Sequence, residues 1–198
     1  PPIMSRSLLL LIALPSLAFA TDAEGKAFLA ANKLNPGVVE LPSGLQYKVI
    51  KSGNGKEHPN PDTVASCHYE GRTVQTHTQT PQGKFFDSSY ARGEPAQFAP
   101  NQVIAGWTEA MQLMVKGDEW ELYIPSELGY GDQGAGDDIR PGNALVFKLN
   151  MLNLEGPGKQ VTAAEVVERA QRTRGRGILG ARGVKRRAAG SERGSELR

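Results

Sequence analysis

Residues 103–117 have the sequence VIAGWTEAMQLMVKG, and this stretch decides the fold class. Its apolar side chains recur at the spacing of one helical face, at positions Trp107, Ala110, Met111, Met114 and Val115. This spacing predicts an amphipathic helix with one buried side. Gly117 stands where a C-terminal cap belongs, so the helix is expected to end there.

Alternating apolar and polar residues on both sides of this helix predict β-strands. The predicted strands cover residues 45–50, 64–69, 120–124 and 145–154. One amphipathic helix among several strands favours an α+β domain, in which the helix covers one face of an antiparallel sheet. The body from about residue 45 to 155 is long enough to bury one such core.

The N-terminus has the pattern of a secretory signal peptide. Arg6 precedes an almost wholly apolar run over residues 8–20, and Ala18-Phe19-Ala20 is an A-x-A cleavage site. We therefore expect residues 1–20 to be removed during export, so that the mature chain begins at Thr21 and is exported or secreted. A buried core strand or an uncleaved anchor are the alternative interpretations.

A short N-terminal segment, residues 21–37, follows this signal. Thr21 and Glu24 have the spacing of a capping box, which predicts a helix from Asp22 to about Lys33. Because this helix is short, we expect a monomer, with dimerisation through residues 21–37 as the alternative.

Charge divides the chain into two regions. Residues 1–155 carry 12 basic and 17 acidic side chains, a net charge of −5, whereas residues 156–198 carry 11 basic and 4 acidic, a net charge of +7. The region 156–198 has almost no large apolar residue and is predicted to be a disordered basic tail, with one possible short helix capped by Thr162 and Glu165. A basic tail can contact nucleic acid, acidic lipid or an acidic partner, but the export signal argues against nucleic acid.

Composition excludes several classes of protein. With 22% charged and 39% hydrophobic residues, the body can bury a core and is not disordered throughout. The single cysteine excludes an intramolecular disulfide framework and any metal site built from several cysteines. The histidines lack the close spacing of a helical metal pair, and no phosphate-binding glycine loop is present. We expect no metal and no cofactor.

No conventional catalytic constellation is apparent. Cys67 and His68 are adjacent, but consecutive residues of a strand project to opposite faces, which argues against a thiol–imidazole pair. Cys67 is therefore interpreted as a small core residue. The acidic stretch Asp132, Asp137 and Asp138 lacks the spacing of a calcium loop and is interpreted as a solvated loop.

What the sequence does contain is a series of aromatic residues beside glycines and prolines. The blocks are Tyr69-Glu70-Gly71, Phe85-Phe86-Asp87-Ser88-Ser89, Arg92-Gly93-x-Pro95, Val103-Ile104-x-Gly106-Trp107, Ile124-Pro125, Tyr130-Gly131 and Leu145-Val146-Phe147. In order and spacing, they resemble those of FKBP-type peptidyl-prolyl cis-trans isomerases. The segment 41–47 resembles the secreted macrophage-infectivity-potentiator branch, and the resemblance covers about residues 38–155.

The resemblance implies a fold, an activity and a site. The fold is a five-stranded antiparallel sheet curled round one short amphipathic helix, with an apolar pocket between them. The implied catalytic residues are Tyr69, Phe86, Asp87, Trp107, Tyr130 and Phe147. The implied substrate-binding residues are Phe98, Val103, Ile104 and Ile139. In this arrangement Trp107 forms the pocket floor, Tyr130 donates its hydroxyl to a ligand carbonyl, and Asp87 pairs with Arg92.

The implied activity is isomerisation of Xaa-Pro bonds without covalent or acid–base chemistry. The implied partners are proline-containing peptides, unfolded protein clients and rapamycin-type macrolide inhibitors. The alternative is a prolyl-peptide-binding module or chaperone with little turnover. Three departures from the family pattern motivate this alternative: a polar insertion at 72–82, Ala96 in place of an aromatic residue, and a charged loop at 132–140.

Overall fold

The computed structural model describes residues 20–162 and 164–166, so the predictions for residues 1–19 and for most of the basic tail lie outside it. The strands are β1 (Val38–Glu40), β2 (Gln46–Lys51), β3 (Glu57–Pro59), β4 (Ala65–Thr73), β5 (Asp87–Ser88), β6 (Ala96–Phe98), β7 (Glu119–Ile124), β8 (Leu145–Leu154) and β9 (Gly158–Gln160). The helices are α1 (Ala23–Asn32), α2 (Val74–His77), α3 (Ser89–Arg92) and α4 (Ala105–Met111), with 3₁₀ turns at Pro100–Gln102 and Ser126–Leu128.

The main sheet is antiparallel, with the strand order β1-β2-β7-β8-β4-β5 and with β6 also paired to β4. On β4, burial alternates along the strand, because successive side chains point to opposite faces. The buried face of the sheet packs against α4, whose Trp107, Ala110 and Met111 belong to the main hydrophobic cluster. The predicted α+β class, with a helix covering an antiparallel sheet, is confirmed.

The described sheet contains seven strand segments, whereas the prediction was five. The edge beside β4 is one interrupted strand, because the helical turn α3 separates β5 from β6 while both pair with β4. The other additional segment is β1, which pairs with β2 through Val38–Lys48 and Val39–Tyr47. Alternation of apolar residues cannot identify segments this short, because two or three residues do not establish a period.

Helix α4 ends at Met111, well before the predicted end at Gly117. Other parts of the chain bind the backbone groups that a longer helix would need. The Val115 N–H donates to the Asp118 carboxylate at 2.9 Å, and the Met114 carbonyl lies 2.9 Å from His58 Nδ1. Gly117, with φ of +88°, closes the resulting turn. The apolar spacing of Met114 and Val115 therefore places them in the core without a helix.

The N-terminal helix α1 matches its prediction closely, but its cap differs. The N-cap is Asp22, whose Oδ1 accepts the Gly25 N–H at 2.6 Å. Thr21 does not form the predicted capping box with Glu24. Instead its backbone N–H and its hydroxyl both donate to the carboxylate of Glu127, in the 3₁₀ turn Ser126–Leu128.

The insertion at 72–82 is not a simple loop, because it contains α2 and packs against α1. Val74 is buried in a second hydrophobic cluster with Tyr123, and Phe28 of α1 packs against this cluster. The Phe28 and His77 rings meet edge-on at 5.8 Å. The insertion thus attaches the N-terminal helix to the sheet. None of the helices in the described ranges is long and apolar enough to cross a membrane.

The predicted tail begins with ordered structure. Strand β9 pairs with β3 in a small two-stranded sheet, in a region that was expected to be loop and tail. Beyond it, the Thr162 N–H donates to Glu165 Oε2 at 2.7 Å and the Glu165 N–H donates to Thr162 Oγ1 at 3.3 Å, which is the expected capping box. Whether the rest of the tail is disordered stays a prediction.

Removing a buried side chain from the central strand β8 should strongly destabilise the fold. Leu149 is completely buried, so Leu149→Ala should lower the free energy of unfolding by about 2–5 kcal/mol. Leu34 is 80% exposed, so the matched change Leu34→Ala should cost less than about 0.5 kcal/mol. Urea unfolding of both variants measures the two values; equal effects would contradict the assigned core.

Candidate active site

A pocket of about 460 Å³ opens between α4 and the sheet. It is lined by Tyr69, Phe86, Asp87, Phe98, Gln102, Val103, Ile104, Trp107, Tyr130 and Phe147. These side chains come from β4, β5, β6, α4, β8 and the loops between them. Most of the lining is aromatic or aliphatic, so the pocket provides an apolar surface with a few polar groups at its rim.

The centre of the pocket is the indole of Trp107, in the first turn of α4. Three rings meet it edge-on, with centroid distances of 5.2 Å to Tyr69, 5.7 Å to Phe98 and 5.1 Å to Phe147. Edge-to-face contacts are a preferred arrangement of aromatic pairs, so these rings hold one another in place. The floor is apolar because it consists of aromatic ring surfaces, although the buried Trp107 Nε1 makes no hydrogen bond to the described residues.

The glycine at position 71 allows two pocket rings to close over β4. Phe86 and Phe147 meet edge-on at 5.4 Å. A Cβ atom at Gly71 would lie 2.6 Å from Phe86 Cζ and 2.6 Å from Phe147 Cε1. Any side chain here would displace at least one of these rings. The Tyr-Glu-Gly block thus combines a pocket tyrosine with the space that its neighbours need.

A charged hydrogen-bond network forms one side of the rim. The Tyr69 hydroxyl donates to Asp87 Oδ2 at 2.5 Å and accepts from Arg92 Nη2 at 2.7 Å. Arg92 Nη1 also forms an ion pair with Asp87 Oδ1. Each of the three groups thus binds the other two, which fixes the Tyr69 ring against the pocket. The predicted pairing of Asp87 with Arg92 is confirmed.

The network affects the acidity of its members. Burial acts to raise the pKa of Asp87, but the hydrogen bonds from Tyr69 and Arg92 and the guanidinium charge outweigh it, so the pKa lies below 3.8. Burial and the bond to Asp87 raise the pKa of Tyr69. Asp87 is therefore a carboxylate and Tyr69 a neutral phenol at physiological pH.

Two hydrogen-bond donors remain available at the pocket. Tyr130 is 37% exposed, and its hydroxyl bonds to none of the residues that the structure describes. Burial and the nearby Asp87 charge raise its pKa, so it stays a donor. The backbone N–H of Ile104, the N-cap residue of α4, likewise has no hydrogen-bond partner within the described ranges. Both can donate to a peptide carbonyl.

Cys67 and His68 occupy opposite faces of β4, as predicted. Cys67 is completely buried, and burial raises the pKa of its thiol to about 12. His68 stacks on Tyr90 at 4.3 Å, and its Nδ1 lies 2.9 Å from Ser89 Oγ. A thiol with so high a pKa is not a nucleophile at physiological pH, which agrees with the structural role predicted for Cys67.

All the predicted pocket residues line the pocket except Ile139. This side chain is buried in the main hydrophobic cluster, because the loop doubles back through two hydrogen bonds between Ala135 and Ile139, at 2.8 and 3.2 Å. Ile139 is 7% exposed and shares this cluster with the lining residues Tyr69, Trp107 and Phe147, so its role in substrate binding stays a prediction. Gln102 was missed; its position just before the Val103-Ile104 block was the available signal.

The charged loop at 132–140 is linked to the opposite side of the pocket. Lys84 Nζ lies 3.4 Å from Asp138 Oδ1, which joins this loop to the segment that leads into Phe86. Arg72 anchors the same segment, because its guanidinium stacks on Phe85 at 3.6 Å. Two of the three departures, the insertion and the charged loop, thus contact the segment that leads into the pocket residue Phe86.

Comparison with known proteins gives two family matches. Residues 55–152 match the family described as FKBP-type peptidyl-prolyl cis-trans isomerase, and residues 16–49 match the domain amino-terminal to it. "Outer membrane protein MIP" of Legionella longbeachae is 44% identical over 133 residues, which cover 67% of this chain and 54% of that protein. "Macrophage infectivity potentiator" of Trypanosoma cruzi is 43% identical over 144 residues, covering 73% and 70%.

A solved structure also matches. A peptidyl-prolyl cis-trans isomerase from Pseudomonas syringae is 36% identical, with a TM-score of 0.58, and the match covers 67% of this chain and 91% of that one. The present chain spans only about half the length of two of its bacterial curated relatives, each covered to 54%.

The pKa of Asp87 predicts how the rim network responds to acid. The folded-state pKa of Asp87 lies below its ordinary value of 3.8. The stabilisation from the Asp87 carboxylate is therefore complete above about pH 3.8 and is lost as the pH falls through the folded-state pKa. The difference in Tm between the parent and Asp87→Asn should therefore be constant from pH 7 to about 4 and shrink below it. Thermal melts across this range, with the exposed Asp62→Asn as control, measure the difference. A gap that already closes between pH 7 and 5 would contradict the assignment.

Proposed function

The chain belongs to the family of FKBP-type peptidyl-prolyl cis-trans isomerases, and from this membership we propose that it accelerates rotation about Xaa-Pro amide bonds. The supporting observation is the aromatic pocket around Trp107, with donors at its mouth. Proteins with these matching sequences are named as isomerases, which favours this activity over the alternative of a binding module with little turnover.

The chemistry of the reaction suits such a pocket. The planar amide resists rotation with a barrier of about 18–20 kcal/mol, because planarity carries resonance. A barrier of about 20 kcal/mol corresponds to a rate on the order of 10⁻² per second, and a 10⁴-fold acceleration needs roughly 5.4 kcal/mol of preferential binding of the twisted amide. The twisted amide has lost resonance and is less polarised, so an apolar pocket tolerates it better than the planar one. No proton transfer is required.

The pocket residues would share this task. The proline ring would rest on Trp107, enclosed by Phe86, Phe98 and Phe147. The Ile104 N–H and the Tyr130 hydroxyl would hold the peptide carbonyls. The network of Tyr69 and Asp87 with Arg92 would keep the pocket wall in place. Val103, next to Ile104, would contact the residue before proline.

The proposed ligands follow from the same surface. We expect proline-containing peptides and unfolded protein clients as substrates. Rapamycin-type macrolides would compete for the pocket, because they offer a ring and carbonyl groups to the same donors.

We further propose that the protein is exported and monomeric. The export pattern at residues 1–20 supports the first point. The second is supported by α1, whose Phe28 and Leu29 pack against the protein's own second cluster rather than remaining free for a partner. Light scattering of the exported protein should give the monomer mass; a dimer lost on deleting residues 21–37 would contradict this.

The activity can be tested directly with the full chain. Exchange spectroscopy on a Leu-Pro peptide should show cis–trans exchange accelerated by catalytic amounts of protein, and a rapamycin-type macrolide should abolish the acceleration. Folded protein that binds the macrolide without accelerating exchange would contradict the proposed activity and support a binding module instead.

Removing the Tyr130 hydroxyl should separate its role from that of the aromatic ring. We expect Tyr130→Phe to reduce kcat/KM about tenfold, the effect of losing roughly one hydrogen bond, without changing the Tm. The matched control is Tyr90→Phe, because Tyr90 has a similar exposure of 39% but lies outside the pocket lining. Equal activities of the two variants would show that the Tyr130 hydroxyl binds no substrate.

A further inference from the structure

We infer that Glu127 is a receptor for the free α-amino group of Thr21, created when the chain is cleaved after Ala20. The inference rests on the proposed export, which supplies the cleavage. It adds a binding site within the protein for its own processed N-terminus, distinct from the isomerase pocket, whose lining includes neither Thr21 nor Glu127.

The surroundings of Thr21 form a built site. Thr21 is only 3% exposed, whereas Ala20, just before it, is exposed. The Thr21 backbone N–H donates to Glu127 Oε1 at 3.0 Å, and its hydroxyl donates to Glu127 Oε2 at 2.5 Å. The same hydroxyl accepts the Ser126 N–H at 2.8 Å. The Thr21 hydroxyl also lies 3.3 Å from Ser126 Oγ. Four polar contacts thus hold a residue at the very beginning of the predicted mature chain.

The shape of the site also depends on this residue. A Cβ atom at Gly25 would lie 2.7 Å from Thr21 Cγ2, so the first turn of α1 can close over Thr21 only because Gly25 has no side chain. On the other side, a Cβ at Gly142 would lie 3.2 Å from the Ala20 carbonyl oxygen. The Asp22 N–H donates to the Gly142 carbonyl at 2.8 Å, which fixes the chain immediately after the cleavage point.

Cleavage changes the chemistry of the bound nitrogen. Hydrolysis of the Ala20–Thr21 peptide bond by a host endopeptidase consumes one water, whose hydroxyl goes to the Ala20 carbonyl carbon and whose hydrogen goes to the Thr21 nitrogen. Below a pKa of about 8 the new amine takes a proton from solvent and becomes an ammonium group. One neutral donor is replaced by a cation with three donors, facing a carboxylate at 3.0 Å.

The other charges around this site are few. Lys26 of α1 acts on the Glu127 carboxylate from nearby, and Asp22 adjoins Thr21 in sequence. Further along the same groove, Lys33 and Glu40 pair with each other at 3.4 Å. In the uncleaved chain, the backbone amide of Thr21 donates to the Glu127 carboxylate. Cleavage should therefore convert a neutral hydrogen bond to a charge-assisted one at the same position.

The test compares two forms of the full chain. The exported protein provides the processed form, and protein made without export retains residues 1–20, so that Thr21 keeps an amide. The intact mass of the exported form should correspond to a chain that begins at Thr21. In urea unfolding, Glu127→Gln should reduce the equilibrium constant for folding about tenfold more in the processed form than in the precursor. The control is Glu24→Gln, which changes an exposed acid on α1 and should affect both forms equally.

The pH dependence provides a second readout that needs no variant. An ammonium group that gains a carboxylate partner has its folded-state pKa raised, so its stabilisation is complete below about pH 8 and is lost as pH rises through the raised value. Processed protein should therefore lose stability between about pH 8 and 10 relative to the precursor.

Three outcomes would overturn the inference. A processed chain that begins elsewhere than Thr21 would exclude it, while leaving the isomerase assay unaffected. If Glu127→Gln has equal effects in both forms, Glu127 does not bind the new ammonium group more strongly than it binds the Thr21 amide. A flat stability difference across pH 8 to 10 would show that no ammonium group is bound there.

Discussion

The edge-to-face contacts of Trp107 are the interaction on which the rest of the structure depends. This one side chain, on the first turn of α4, meets Tyr69 of β4, Phe98 of β6 and Phe147 of β8. It therefore joins the helix to three strands and forms the pocket floor at the same time. Helix α4 can lie directly on β7 because Gly106 has no side chain. A Cβ atom at this position would lie only 2.7 Å from Ile124 Cγ2.

The pocket separates apolar and charged functions in space. Its interior is aromatic, whereas its fixed charges, Asp87 and Arg92, neutralise each other at the rim and hold Tyr69. A reaction that needs only rotation about a bond requires a shaped, weakly solvating interior and donors that orient the peptide. The proposed isomerase activity is consistent with this division, because none of the charged groups has to gain or lose a proton.

The predictions that succeeded depend on patterns that span many residues. The apolar spacing from Trp107 to Met111 identified α4, because burial of one helix face leaves a regular pattern. The run over 145–154, apolar on much of both faces, identified β8. The pocket residues came from resemblance rather than from periodicity, since isolated aromatics beside glycines have no period. Of these, Ile139 alone lies outside the pocket lining, because the turn between Ala135 and Ile139 places it in the core cluster.

What could not be predicted consists mostly of tertiary hydrogen bonds. The end of α4 is set by Asp118 and His58. Asp118 lies just beyond the helical pattern, and His58 is distant in sequence. Thr21 matched a capping box with Glu24 in sequence, yet Glu127, more than a hundred residues away, binds it instead. Strands β3 and β9 stabilise each other, and neither is long enough to be recognised alone. In each case a local pattern was overridden by a partner that only the folded chain brings near.

The proposed activity requires that this pocket binds a twisted prolyl amide better than a planar one. It can be tested by calorimetry with two matched ligands, a planar prolyl amide and an analogue in which an α-ketoacyl group holds a carbonyl out of the amide plane. The twisted ligand should bind at least about 10²-fold more tightly than the planar amide, as transition-state analogues do. Equal affinities for the two ligands would contradict it.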